Sequence, residues 1–352
     1  MALTKIHLKN FVVFAEIEII PAKGINVFIG KNGTGKTQLL KAVYTDIALS
    51  NNPNQGSFSE YFKRGTSSDF LIAYKGTRDM AVHLQEDSEG QACKVKNVSI
   101  SLSWEKAVDG SFMAGDAYHI SYTTFQKPVH AVFMPVKDML THAKGLLAMA
   151  DKYREFPFDK TLTDSIRQAN QWTLKEPPRL ALRILPKLEE LMDGCIEIEN
   201  EEFFIRKHDG RRVSFAVEAE GLKKIGLLWQ LLMNESITED SILLWDEPEA
   251  NLNPEYLPVL VECLLELSRH GVQIFVSTHN YLFAKYFDVR KREKDGIAYH
   301  SLYADEAGMI CCETAETFAA LRHNAIMAAY NKLLDEVYGL QAGDDSDAQD
   351  FS

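Results

Sequence analysis

The stretch Phe28-Ile-Gly-Lys-Asn-Gly-Thr-Gly-Lys-Thr-Gln-Leu-Leu-Lys41 constrains this chain more than any other. Residues 30–37 fit G-x-x-x-x-G-K-[ST], with a compact apolar run, residues 24–30, before them and helical spacing of Leu39, Leu40, Val43 and Ile47 after them. Gly30, Gly33 and Gly35 let the backbone curl so that successive N–H groups, those of Asn32 and Thr34 among them, converge on phosphate oxygens. The helix starting at the loop adds a dipole that favours an anion. Lys36 is placed to reach the β- and γ-phosphates, and the Thr37 hydroxyl to ligate Mg²⁺. A loop of this kind between a buried strand and a helix belongs to an α/β fold with a parallel core sheet.

Two further strand ends agree with the loop. The apolar run at residues 241–245 ends in Asp246-Glu247. Asp246 would hold Mg²⁺ through water, and Glu247 would act as general base on the attacking water. The run at residues 272–278 delivers His279, which would sense the γ-phosphate or orient the water. Phe11 and Phe14 are weighed as adenine contacts against the plainer reading that they pack in the core.

Composition narrows the partners. The formal net charge of −12 over 352 residues argues against broad duplex binding, which needs a basic surface. Residues 94–96, 206–212 and 290–294 are the local basic stretches. Cys93, Cys195, Cys263, Cys311 and Cys312 are odd in number and irregularly spaced, so neither a disulfide framework nor a CxxC metal site is read. Lys5, His7 and Lys9 interrupt the opening segment, which does not read as an export signal, and no run approaches the ~18 apolar residues of a membrane span. The expectation is a cytoplasmic, reduced protein.

Along the chain, residues 3–20 read as paired strands and residues 50–67 as a flexible excursion. Residues 70–135 have a strand-like texture, and residues 137–193 are helical with a break at Pro177-Pro178. A hairpin is expected over residues 195–217, with its turn at Asp209-Gly210. Helix, strand, helix, strand follow over residues 221–305, then a helix at about 314–338. The division expected is an ATPase domain over 1–338 (β lobe about 1–135, helical insertion about 137–193, second lobe about 195–338) and an acidic, unstructured tail over 339–352.

A phosphate loop, a long insertion, Asp246-Glu247-Pro248 and the strand-end His279 together resemble the ABC-type ATPase head of the RecF/SMC/OLD-like branch, often labelled AAA-family ATP-binding proteins. The opening 40 or so residues, and the stretches at 133–146, 219–232 and 245–254, look like a compact subgroup frequent in anti-phage systems. The resemblance implies a P-loop NTPase with a parallel core sheet, an antiparallel N-terminal β lobe and a helical lobe inserted between Walker A and signature. It implies ATP and Mg²⁺ as cofactors, and a homodimer that sandwiches ATP. Gly221, matching the family's signature glycine, would then act in trans on the partner's nucleotide. Ala219 stands where a γ-phosphate-binding serine is usual, Glu220 adds negative charge, and Asn253 replaces the usual aspartate of the loop crossing the dimer. For the family's Mg²⁺-sensing glutamine, Gln126 lies early and Asp138 sits nearer the expected place.

The insertion is too short for an SMC-type coiled-coil arm, and the residues after 305 are too few for the nuclease domain of OLD-type proteins. The leading expectation is therefore an ATPase head that gates or senses for a separate effector, a nuclease or toxin, in anti-phage defence. The alternatives are a RecF-like DNA-binding repair ATPase and an ATP-locked scaffold with little hydrolysis.

Overall fold

The computed structural model describes residues 2–52, 58–62, 98–104, 112–113, 118–120, 128–153 and 156–347. β1 (Leu3–Phe11) and β2 (Phe14–Ile19) form the expected antiparallel pair. β3 (Ile25–Gly30) leads through the glycine loop into α1 (Lys36–Asn51). Then come α2 (Phe58–Phe62), β4 (Val98–Trp104), β5 (Phe112–Met113), β6 (Tyr118–Ile120) and β7 (Ala131–Met134). A helical stretch holds α3 (Leu146–Lys152), α4 (Lys160–Ala169) and α5 (Leu185–Met192). The chain continues as β8 (Gly194–Glu199), β9 (Glu202–Lys207), β10 (Arg212–Ser214) and α6 (Glu220–Met233). The last part is β11 (Ile242–Asp246), α7 (Leu257–Arg269), β12 (Gln273–Ser277), α8 (Tyr281–Arg290), β13 (Ile297–Ala304), β14 (Ile310–Ala315) and α9 (Ala325–Asp347).

The core sheet has the order β14-β13-β3-β12-β11-β7, parallel throughout except for β14. β3, β11 and β12 are buried on both faces, which is why they read as unbroken apolar runs. Ile25, Val27, Ile29, Leu243, Trp245, Ile274 and Val276 face one core, shared with Ile166, Leu188 and Leu228 of the helices. Phe28, Leu244, Phe275 and Leu302 face the other, shared with Leu39, Leu40 and Val43 of α1 and with Leu3, Ile6 and Leu8 of the N-terminal sheet. Each such side chain contributes about 1.5–3 kcal/mol by leaving water. The N-terminal sheet, ordered β2-β1-β4-β6-β5, is antiparallel except where β4 meets β6. One buried amide ties the two sheets together: Gln273 on β12 accepts from the Leu3 N–H at 2.8 Å and donates to the Leu3 and Ala22 carbonyls at 2.9 and 2.8 Å.

Four expectations change. Residues 58–62 of the expected excursion are helical, with Phe62 edge-on to Phe11 and Tyr61 edge-on to Tyr44, so aromatic burial outweighs the polar flanks. The single hairpin is a three-stranded sheet, because Asn200 and Glu201 both take positive φ and make a second turn. The helix expected from about 314 begins at Ala325, since residues 310–315 pair antiparallel with β13 and Asn324 caps the helix through the Met327 N–H. That helix runs to Asp347, into the stretch expected to lack structure. Leu340, Gln341 and Ala342 there are good helix formers. Gln126, Cys93, the basic residues 94–96 and residues 70–97 of the strand-like segment lie outside the described residues. The four described cysteines are unbonded, and no described helix is long and apolar enough to cross a membrane.

Candidate nucleotide site

The site lies at the carboxyl ends of three adjacent parallel strands, β3, β12 and β11. Gly33 and Gly35 have φ of 82° and 93°, conformations that side chains disfavour. At Gly35 space also demands glycine: a Cβ there would stand 2.5 Å from Val13 Cγ2 and 2.6 Å from the Phe14 ring. Phe14 thus buttresses the loop from behind, and both Phe11 and Phe14 are buried in the core. Lys36 Nζ donates to the Gly30 and Lys31 carbonyls at 2.9 and 3.1 Å. Burial pulls its ammonium down to about 8, against the opposing pull of Glu247, Asp246 and Glu249.

Parallel register sets Asp246 beside Ser277. Ser277 Oγ donates to Asp246 Oδ1, and Thr37 Oγ1 donates to Oδ2 at 2.8 Å. One carboxylate therefore joins the loop helix to both strand ends. A paired hydroxyl and carboxylate is an all-oxygen donor set, the chemistry a hard divalent ion such as Mg²⁺ requires, so these residues fit that ion.

The chain turns sharply after Asp246. Glu247 has φ 47°, its N–H meets Ser277 O and Oγ at 3.2 Å each, and its carbonyl accepts from Lys224 Nζ of α6 at 2.9 Å. This tethered turn leaves the Glu247 carboxylate facing His279, with Oε1 3.6 Å from Nε2 and both side chains about one-third exposed. A general base needs that combination of fixed backbone and reach to solvent. Burial, and then Lys36, lower the His279 pKa, which favours the neutral imidazole. Lys36, Thr37, Asp246, Glu247 and His279, scattered over the sequence, are thus brought together.

Gly221 is not brought to the loop. It lies in the first turn of α6, where a Cβ would stand 2.4 Å from the Asn251 carbonyl, so it lets the helix pack against the turn after Glu249. Glu220 is held by Lys223 at 2.6 Å. Among the described residues no hydrogen bond or ion pair joins residues 219–221 to residues 30–37. Asn253 caps a short helical turn through the Glu255 N–H. Asp138 accepts from the Leu140 and Thr141 N–H groups at 2.9 and 3.1 Å, with Lys223 Nζ 3.9 Å away, and so caps the turn that follows it.

Three residues of the site were not singled out in the sequence. Ser277 could have been found from the pairing of its strand with β11. Lys224 left no local signal. Glu249 was visible as a third carboxylate within four residues, one more than metal and water require. The basic stretch at 206–212 is neutralised by near neighbours: Arg206 and Arg212 pair with Glu197, Arg212 also with Glu199, and Arg211 with Asp209.

Known proteins resemble this chain in sequence and in fold. Residues 136–284 match the family described as "AAA domain, putative AbiEii toxin, Type IV TA system", and residues 1–105 the family described as "AAA ATPase domain". The DNA replication and repair protein RecF of Idiomarina loihiensis is 29% identical over 91 residues, which are 26% of this chain and 25% of that protein. The DNA double-strand break repair Rad50 ATPase of Thermoplasma volcanium is 32% identical over 127 residues, 34% of this chain and 13% of that protein. The matched stretch is thus a quarter or less of those relatives' length. Among solved structures, an SMC head bound to the C-winged helix domain of ScpA superposes with a TM-score of 0.50 at 13% identity, covering 90% of this chain and 98% of that one. The SMC head domain of Thermotoga maritima gives 0.49 at 16%, covering 90% and 100%. Identities this low speak to the fold alone.

Proposed function

We propose that this chain is an ABC-type ATPase head of the RecF/SMC family that binds ATP with Mg²⁺, hydrolyses it and dimerises around it to gate a separate effector. The observation that carries this reading is the single bonded unit of Thr37, Asp246 and Ser277 with Glu247 and His279 at its rim. Thr37 and Asp246 would hold the Mg²⁺, which when bound neutralises charge on the β- and γ-phosphate oxygens. Lys36 exchanges its carbonyl partners for the phosphates, and the loop N–H groups hold the phosphate oxygens. Glu247 takes the proton of the attacking water, and His279, neutral and 3.6 Å away, orients that water. Gly221, at the start of α6 and away from its own loop, would complete the site of a second copy.

Turnover by the purified chain, compared with Glu247→Gln, tests the catalytic part. Equal, near-zero rates in both would leave the ATP-locked scaffold as the better account. Ala219→Arg, at the exposed start of α6, tests the trans part: ATP-dependent dimerisation, read by light scattering, should disappear while nucleotide affinity stays within about threefold. Persistence of the dimer would overturn the two-chain site. The gating role, and with it anti-phage defence, rests on the sequence resemblance alone; the family that matches residues 136–284 is described as a putative toxin of a toxin–antitoxin system and names no separate effector. It is tested by co-purification with the products of the neighbouring genes, with and without ATP. A chain that never retains such a product does not gate one.

The RecF and Rad50 relatives motivate the rival reading, direct DNA binding. It predicts ATP-dependent binding that weakens steeply with salt and is lost in Arg211→Ala/Arg212→Ala. The pairing of those arginines with Asp209, Glu197 and Glu199 weighs against it.

A further inference from the structure

Glu249 is a buried titratable group that the chemistry above leaves unused. It stands 8% exposed in the turn after β11, beyond the carboxylates that serve metal and water. Its Oε1 accepts from Thr278 Oγ1 at 2.5 Å and from the His279 N–H at 3.2 Å. Its Oε2 is buried without a hydrogen-bond partner. The segment it holds is tied on both sides. Thr278 N–H donates to the Phe28 carbonyl of the loop strand at 2.9 Å, Thr278 Oγ1 accepts from the Asn280 N–H at 2.9 Å, and Asn280 caps α8 through the Phe283 N–H at 3.0 Å. The His279 backbone is thus clamped between β3, α8 and the Glu249 carboxyl, and only the last of these comes from the turn that carries Glu247.

We propose that Glu249 is a positioning residue for ATP hydrolysis: its carboxyl fixes the Thr278–His279 backbone and so keeps the His279 imidazole beside Glu247. The proposal rests on the ATPase reading above, and adds to it a residue that touches neither nucleotide nor water. The turn explains why a glutamate stands there. Leu252 N–H donates to the Glu249 carbonyl at 3.0 Å and Ala250 N–H to the Glu247 carbonyl at 3.1 Å, so the turn folds back and carries the side chain of residue 249 under the end of β12. A hydroxyl or methyl group at residue 249 is too short to reach the His279 amide from that backbone. Leaving a polar group buried with one oxygen unpaired costs free energy, which a merely space-filling residue would avoid. Burial also pushes the carboxyl up to about 7, with Thr278 and the backbone amides pulling it down and Glu247 pushing it further up. Lys36 and Lys224 are the cations that face it. A carboxyl that carries a proton near neutrality supplies its acceptor oxygen without placing another full negative charge beside Asp246 and Glu247. A glutamine meets the same requirement.

The test compares Glu249→Ala and Glu249→Gln in the wild-type and His279→Ala backgrounds of the full chain. Turnover is read alongside affinity for a non-hydrolysable ATP analogue, and the ring resonances of ¹⁵N-histidine-labelled protein are recorded, His279 being assigned by its absence in His279→Ala. The expected result is a roughly tenfold fall in kcat for Glu249→Ala, a misplacement effect. KM and analogue affinity should hold, and the His279 resonance should move. Glu249→Gln should recover most of the rate and restore the resonance. In the His279→Ala background Glu249→Ala should cost less than twofold, because its effect passes through that imidazole. A His279 resonance unmoved in Glu249→Ala, or an equal loss in both backgrounds, overturns the proposal. A moved resonance in a chain whose wild type turns over no faster than Glu247→Gln sustains the positioning role and overturns the ATPase reading instead.

Discussion

The two parts of the proposed nucleotide site differ in how they are held. The part built on β3, β11 and β12 is closed: Thr37, Ser277 and Asp246 bond to one another, Lys224 grips the Glu247 carbonyl, and Asp246 is 3% exposed. The part at the start of α6 is open. Its Ala219 caps the helix with no side-chain hydrogen bond, and the charge of Glu220 is spent on Lys223. The lesson is that the groups proposed for catalysis are positioned inside one chain, while among the described residues no hydrogen bond or ion pair joins residues 219–221 to them. Perturbing each part separately shows how independent they are.

The largest effect is expected from Glu247→Gln, which keeps the turn and removes the base. Turnover should fall by roughly 10²–10⁴, with ATP affinity unchanged and the ATP-bound dimer accumulating in light scattering. A comparable loss of affinity would show that Glu247 belongs to binding. Lys36→Ala strikes binding itself. Losing charge-assisted hydrogen bonds worth about 1.5–3 kcal/mol each predicts at least tenfold weaker ATP binding, measured by titration calorimetry.

A smaller effect is expected from pH alone. Burial lowers the Lys36 ammonium to about 8, and bound phosphate raises it again, so the complex holds more protons than the free chain above that pH. Affinity should be flat below about 8 and fall by up to about tenfold per pH unit above it. An affinity flat to pH 10 would mean that the ammonium is not displaced from its ordinary value. The smallest effect should come from the open part. Ala219→Ser supplies a helix cap, worth about 1 kcal/mol, and a hydroxyl for a second chain's nucleotide. A raised Tm with an unchanged dimer affinity would confine residue 219 to its own helix.

What could be read in advance follows the same division. The loop was legible because its backbone tolerates only glycine at Gly33 and Gly35 and its chemistry demands Lys36 and Thr37. Asp246 and His279 were legible because buried parallel strands are unbroken apolar runs, so the first polar residues after them mark the sheet's edge. The roles of Ser277, Lys224 and Glu249 were not, even where the residue itself stood out, since each takes its meaning from a neighbour 23 to 31 positions away across a register that local pattern does not report. β14 hid for a related reason: residues 310–315 carry no strong alternation, and the antiparallel ladder with β13 decides them. The turn at Asn200-Glu201 lacks the glycine that marks Asp209-Gly210, so positive φ there had no signpost.

Lys36 bonds to the Gly30 and Lys31 carbonyls of its own loop. If the chain binds nucleotide as proposed, it contains a built-in competitor for its ligand. Capture of phosphate is an exchange in which two neutral acceptors leave an ammonium that is already stripped of water, so a weakly charged anion gains little over the oxygens it replaces. Discrimination in favour of a polyphosphate is then set partly by what must be displaced, and the loop that admits the ligand also screens it.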